Sequence, residues 1–169
     1  MPELITSLEQ ITPAWLTRVL RRSRLINTAS VAEISFDSDI TSFSIIAHLR
    51  ISYTRKSEAP DRLFLKFSKP VHPVSTPEGG WEVAFYKSVA PHTPNVLRCY
   101  DAVFSAEQHK LHLLLEDVSL THYSEPPSQL PPTRGNCELI VQALAEIHAT
   151  WWERPPWDAI GLSLPDQRS

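Results

Sequence analysis

Apolar and polar positions at the start of the chain follow the period of a helix. Between Trp15 and Leu20 the apolar residues recur at a spacing that places them on one side of a helix. Thr12 and Pro13 come directly before them, and these residue types favour the N-cap and the first helical position. The pattern predicts a leading helix over residues 12–22.

From residue 31 onward the period changes to two. Alternation of apolar and polar residues predicts strands over residues 31–36, 45–53 and 63–67. Residues 37–42 are polar and predict a turn between the first two strands. Because the three strands follow one another closely, we expect antiparallel pairing.

The second half of the chain repeats the change of period. A helix is predicted over residues 81–90, and two further strands are predicted over residues 96–104 and 111–115. Together the elements predict an α+β fold in which the helix packs against a five-stranded antiparallel sheet.

The last predicted element is a helix that follows a Pro-rich connector, residues 124–133. Asn136 is its predicted N-cap. Residues 153–169 predict a loop. The apolar residues of the helix fall on one side: Leu139, Ile140, Ala143, Leu144, Ile147 and Trp151.

Composition and charge narrow the class of protein. A chain of 169 residues suits one domain with a core of its own. A net charge of −3 and a pI near 6.1 argue against nucleic acid or an anionic membrane as partner, because both attract clustered lysine and arginine. Two cysteines do not make a disulfide framework, and no apolar run approaches the roughly 20 residues that cross a bilayer. We therefore expect a cytoplasmic protein that binds neither nucleic acid nor membrane.

Lys66 and Glu82 are the first candidates for chemistry. Taken alone, Lys66 is typical of a lysine that extends from a sheet edge to water, and Glu82 of a solvated acid in a first helical turn. Taken together, a strand lysine and a helix glutamate match the arrangement in which kinases hold nucleotide phosphates. A carboxylate partner fixes the flexible ammonium group and keeps it charged.

A third signal lies in the apolar strand that ends abruptly at Glu116, Asp117 and Val118. In kinase-like folds such a segment is the hinge between two lobes, and its backbone groups pair with the adenine edge. The alternative interpretation is a strand that leaves the core and meets water at its two acids.

Four segments in order resemble the phosphotransferase enzyme family, which includes aminoglycoside phosphotransferases, choline kinase and ecdysteroid-kinase-like proteins. The segments are WEVAFYK at residues 81–87, RCYDA at 98–102, LLLEDV at 113–118 and LAEIHATWW at 144–152. The resemblance implies a protein-kinase-like fold and ATP-dependent transfer of phosphate to a small-molecule hydroxyl.

The resemblance also implies a division of the chain. Residues 1–118 correspond to the N-terminal lobe with its leading helix. Residues 119–169 correspond to a Pro-rich linker and the first helix of an otherwise absent C-terminal lobe. ATP is the implied cofactor, bound by Lys66, Glu82 and the hinge residues 116–118.

The turn that the family uses over the phosphates departs from its usual pattern here. No glycine occurs in residues 39–44, although glycine lets backbone N–H groups approach phosphate closely. Thr41, Ser42 and Ser44 are the hydroxyl donors expected in its place. The alternative is an ordinary polar hairpin turn.

The catalytic segment of the family, His-Gly-Asp, has no counterpart, because none of the seven histidines precedes a glycine. No catalytic residue or metal ligand is therefore assigned, and Mg²⁺ is expected only with the missing lobe. His109 and His112 are three residues apart and are interpreted as surface histidines rather than metal ligands. Cys99 is interpreted as a buried apolar residue rather than a nucleophile.

The leading hypothesis is the ATP-binding lobe of a small-molecule kinase, inactive alone. Its expected partners are the nucleotide and either a C-terminal lobe or a second copy of the chain. We expect that partner to cover an apolar hinge side made by residues 113–115 and the helix 139–151. The alternatives are a non-catalytic kinase-like module for nucleotide sensing or partner binding, and an unrelated small α+β domain.

Overall fold

The computed structural model of the chain describes residues 3–42, 44–69, 78–122 and 133–153. In this part of the chain the fold is α+β, as predicted, with one five-stranded antiparallel sheet in the order β1-β2-β3-β5-β4. The strands are β1 (Val31–Ile40), β2 (Ser44–Tyr53), β3 (Arg62–Ser68), β4 (Cys99–Ser105) and β5 (Lys110–Glu116), and the helices are α1 (Pro13–Arg22), α2 (Glu78–Ala84) and α3 (Arg134–Trp151).

Helix α1 begins where the sequence predicts. The Thr12 side chain accepts a hydrogen bond from the Trp15 N–H at 3.2 Å and so caps the helix. The apolar side of α1 packs on one face of the sheet, here called the α1 face. Its buried core contains Trp15, Leu16, Val19, Leu20, Ala47, Leu49, Ile51, Leu63, Leu65, Phe67 and Leu114.

The opposite face of the sheet, here called the α2 face, has a smaller apolar cluster. Val83 of α2 packs there with Phe64, Ala102, Leu111, Leu113 and Leu115. Because strand side chains alternate between faces, Lys66 lies on the α2 face beside Phe64. Register confirms its neighbours, since Lys66 stands between Ile46 of β2 and Leu113 of β5.

Helix α2 differs in form from the predicted helix over residues 81–90. It covers Glu78–Ala84, continues as a π-helical stretch over Phe85–Val89 and ends in a 3-10 turn at Ala90–His92. Pro91 has no N–H for the helical ladder, and the helix ends around it.

The first and fourth strands correct the predicted boundaries. The polar segment 37–42 was predicted as a turn, but β1 pairs with β2 as far as Ile40 opposite Ile45. An edge strand with an exposed side tolerates polar residues, so the side-chain pattern alone ended this strand too early. The fourth strand was predicted from residue 96, whereas β4 begins at Cys99, next to a bulge between Cys99 and Asp101.

Two further predictions are wrong, one about the start of α3 and one about the expected hinge side. Its N-cap is Thr133, whose hydroxyl accepts from the Asn136 N–H at 3.2 Å, so Asn136 lies inside the helix. Residues 113–115 were expected to be an exposed part of the hinge side, but they are buried on both faces of the sheet. Of the two parts of the expected hinge side, α3 is the one that exposes apolar residues, with Leu139 67%, Ile140 55% and Leu144 49% exposed.

Most of the predicted Pro-rich connector, and all but the first residue of the predicted loop over residues 153–169, lie outside the described residues. Among the helices that are described, none is long and apolar enough to cross a membrane.

Candidate functional site

Lys66 and Glu82 meet on the α2 face. The Lys66 Nζ donates to Glu82 Oε1 at 2.6 Å, and the side chains are 31% and 34% exposed. The predicted contact between these residues is therefore confirmed, and both charged groups remain accessible to a ligand. Their role in binding a nucleotide stays a prediction.

The fold explains why the two residues meet. Lys66 alternates onto the same face as Phe64, and Val83 anchors α2 to the apolar cluster on that face. Glu82 is the neighbour of Val83 along the helix, so burial of Val83 brings the carboxylate to the rim of the cluster, where Lys66 stands.

A histidine–carboxylate pair on the same face was missed in the sequence. His48 Nδ1 lies 3.2 Å from Asp117 Oδ2, although the residues are 69 positions apart. The His48 ring also packs edge-on against Phe64, with ring centroids 5.3 Å apart. Alternation along β2 would have placed His48 on the α2 face, but only the register brings it opposite Phe64 and within reach of the hinge.

Asp117 is held tightly by this contact. Its side chain is 3% exposed, and its other carboxylate oxygen accepts from the Ser119 N–H at 2.9 Å. Burial by itself raises the pKa of Asp117, but the hydrogen bonds from Ser119 and the contact with His48 outweigh that effect and hold the pKa below its usual value. Asp117 is thus a carboxylate whose acceptor capacity is used inside the protein.

Some backbone groups of the predicted hinge, residues 116–118, are hydrogen-bonded within the protein. The Glu116 N–H donates to the Arg98 carbonyl at 2.9 Å, and the Glu116 carboxylate accepts from the Arg98 N–H. The Val118 carbonyl accepts from the N–H groups of Thr121 and His122. Within the described residues the Val118 N–H has no hydrogen-bond partner, so this N–H of the predicted hinge is available to a ligand.

The turn between β1 and β2 is closed by its own side chain. The Thr41 hydroxyl donates to the Ser44 carbonyl and accepts from the Ser44 N–H, both at 3.0 Å. Ser44 is buried, and Ser42 is exposed at the tip. The geometry is that of a locked hairpin turn, so of the three predicted hydroxyls that of Ser42 is the most accessible.

The interpretation of His112 as a surface histidine is wrong. It lies fully buried on the α1 face, where its Nδ1 accepts from the Ile5 N–H at 3.0 Å and its Nε2 faces Asp101 Oδ2 at 3.2 Å. Arg22 completes the cluster with an ion pair to Asp101 at 2.8 Å. Burial by itself raises the pKa of Asp101, but the contacts with His112 and Arg22 outweigh it and keep the pKa below its usual value.

Cys99 behaves as expected of a structural thiol. It is half-buried, and burial raises its pKa to about 12, so little thiolate forms at neutral pH. In the part of the chain that the structure describes, no group of three histidine, cysteine or acidic side chains is arranged to hold a metal ion.

The candidate cleft is the part of the α2 face that carries Lys66, Glu82, Phe64 and His48. A cavity of about 610 Å³ lies at the outer edge of β4, lined in part by Arg22, Tyr86 and Tyr100, and neither Lys66 nor Glu82 belongs to it. The candidate site is therefore a half-exposed face of the sheet. No protein-family model and no curated protein sequence matches the chain.

Proposed function

We propose that the chain is the ATP-binding lobe of a small-molecule kinase that resembles the aminoglycoside and choline phosphotransferases. The observation that carries the proposal is the 2.6 Å contact between Lys66 and Glu82 on a sheet face that stays open. A half-exposed ion pair of this kind adds little to the free energy of folding. Ligand binding therefore explains the pair better than stability does.

The chemistry of the pair suits a phosphate group. Glu82 fixes the Lys66 ammonium in one place, and the ammonium keeps further N–H donors for oxygens of a ligand. In phosphoryl transfer such a lysine positions the phosphates and stabilises their charge.

The hinge supports the same direction of binding, whereas the turn contributes little to it. The Val118 N–H offers a donor of the kind that pairs with an adenine edge. The Thr41 hydroxyl is hydrogen-bonded within the turn, and the turn has no glycine. It therefore offers few contacts to a phosphate group. We therefore expect weak ATP binding.

This lobe is proposed to act with a second lobe that supplies the base and the Mg²⁺ ligands. Phosphoryl transfer requires both, and no His-Gly-Asp segment occurs in the 169 residues. The chain alone is expected to bind ATP without turning it over. A cytoplasmic location belongs to the same proposal.

Titration calorimetry with ATP tests the proposal. Lys66→Ala should weaken binding by about tenfold to a hundredfold, the loss of a charge-assisted hydrogen bond. Glu82→Ala should weaken it less, because Glu82 acts through the lysine. Lys56→Ala is the matched control, since Lys56 is an exposed lysine in the loop after β2.

Two results would overturn the assignment of Lys66. One is an absence of ATP binding by the unmodified chain at millimolar concentration. The other is an equal affinity for ATP in the Lys66→Ala and Lys56→Ala proteins.

A second candidate function, a non-catalytic module that binds a partner, is favoured by helix α3. Its exposed apolar residues Ile140 and Leu144 are one turn apart on the helix surface. Light scattering should show association that rises with concentration and disappears in the double variant Ile140→Glu, Leu144→Glu. A monomer at every concentration would exclude self-association through α3.

A further inference from the structure

His48 is a half-exposed ring on the open face, and its hydrogen bond fixes its chemistry. The Asp117 carboxylate is an acceptor only, so His48 must donate to it through an Nδ1–H. In the neutral imidazole the proton is then absent from Nε2, which presents a lone pair. Among the described residues, no protein group donates to that lone pair.

The position of His48 relative to Lys66 sets which part of a ligand reaches it. Ile46 pairs with Lys66 and His48 pairs with Phe64, so Lys66 and His48 are diagonal neighbours on adjacent strands. Diagonal neighbours stand about 7–8 Å apart. A ligand whose phosphates contact Lys66 therefore extends over Phe64 and His48 toward the hinge.

The tautomer of His48, rather than the charge around it, disfavours a phosphate at Nε2. Asp37 stands opposite His48 on β1 and is bonded to Arg50 at 2.6 Å, so its charge is balanced on the same face. A phosphate oxygen is an acceptor, and it cannot donate to the Nε2 lone pair.

We propose that His48 is a ligand-contacting residue of the cleft, whose Nε2 accepts a hydrogen bond from a hydroxyl or amino group of the nucleoside part of the ligand. Asp117 is the positioning residue that fixes the tautomer. The Phe64 ring beside it provides an apolar surface against which a base or sugar packs. This inference rests on the proposed function and names the specificity contact of the same site.

Nucleotide analogues separate the two sources of the donor. ATP, 2′-deoxy-ATP, 3′-deoxy-ATP and inosine triphosphate are titrated in the same buffer at pH 8.5. At least one analogue should bind the unmodified chain about fivefold more weakly than ATP, the effect of one neutral hydrogen bond. Weaker binding of a deoxynucleotide assigns the donor to the ribose, and weaker binding of inosine triphosphate assigns it to the base.

The variant His48→Asn tests the residue itself. Asparagine can still donate to Asp117 from the place of Nδ1, but it has no atom at the place of Nε2. It should bind ATP and the discriminated analogue equally. His48→Phe, which keeps a ring against Phe64, should give the same result, and circular dichroism shows whether each variant is folded.

The control variant keeps the inference distinct from the proposed function. Lys66→Ala should weaken all four nucleotides by one factor and leave their ratios unchanged. Equal binding of all four nucleotides by the unmodified chain, or undiminished discrimination in the folded His48 variants, would overturn the inference while the proposed function stands. An absence of ATP binding, or Lys66→Ala without effect, would overturn the proposed function.

Discussion

Two histidine–aspartate pairs lie on opposite faces of the same sheet, and they differ in the exposure of the imidazole ring. In each, a ring nitrogen is 3.2 Å from a carboxylate oxygen. His112 and Asp101 are closed off on the α1 face, with side chains 0% and 8% exposed. His48 and Asp117 stand on the α2 face, where the imidazole is 33% exposed.

The difference lies in the second nitrogen of each ring. On the α1 face the Ile5 N–H donates to Nδ1 of His112, so the ring joins the N-terminal segment to the sheet. No ring nitrogen is left for another hydrogen bond. On the α2 face only one nitrogen of His48 is used within the described residues. The same residue pair therefore completes a core in one place and offers a binding group in the other.

The contrast extends to the apolar residues around each pair. Trp15 packs edge-on against His112 at 6.0 Å within a core that spans α1 and four strands of the sheet. The α2 face has a smaller cluster with polar side chains at its rim. Stability should therefore depend on the α1 face much more than on the α2 face.

The largest expected effect tests this asymmetry with one substitution on each side. Trp15→Ala should lower the free energy of unfolding by about 3–5 kcal/mol, because Trp15 is 2% exposed and its removal leaves a cavity. Trp81→Ala in α2 removes a side chain that is 54% exposed and should cost less than about 1 kcal/mol. Urea unfolding followed by circular dichroism measures both.

Trp15→Phe refines the result. The Trp15 Nε1–H is buried with no hydrogen-bond partner among the described residues, so phenylalanine removes an unsatisfied donor and keeps most of the ring. Its cost should be clearly smaller than that of alanine. Equal losses for Trp15→Ala and Trp81→Ala would contradict the view that the α1 face carries the stability.

Sequence periodicity predicted the fold well where one face of an element is buried. The helix at residues 12–22 and the strand at 45–53 have strong patterns, and both lie within a residue of the observed elements. The pattern failed where both faces of a strand are exposed to water. The polar end of β1 was predicted as a turn, because its pairing depends on backbone hydrogen bonds that side-chain patterns do not report.

The site was predictable only in the part that uses short-range patterning. Lys66 in a strand and Glu82 in the following helix could be paired from the sequence, and their contact is confirmed. His48 and His112 could not be sorted from the sequence. What separates them is the register of distant strands and the position of the N-terminal segment, which no local pattern contains.

A smaller effect is expected from Asp101→Asn, which compares the two carboxylates. Asp101 accepts from both His112 and Arg22, one on each oxygen, whereas an asparagine can accept on only one atom. One of the two donors loses its acceptor and the ion pair with Arg22 loses its negative charge, so the free energy of unfolding should fall by about 1–3 kcal/mol at pH 7. Asp117→Asn should cost less, because the donors from His48 and Ser119 lie nearer to water.

The stability that Asp101 provides should depend on pH in a direction that follows from its pKa. The pKa of Asp101 is lowered in the folded chain, so the unfolded chain takes up a proton first as the pH falls. The stability that Asp101 provides is complete above about pH 4, near the usual aspartate pKa, and is lost as the pH drops through the lower folded value. Urea unfolding at pH 7, 4 and 2.5 should therefore show the gap between the unmodified chain and Asp101→Asn narrowing toward acid. A gap that stays constant over this range would mean that the Asp101 cluster stabilises the α1 face through packing alone, and the contrast with the open pair at His48 would then be one of shape rather than of charge.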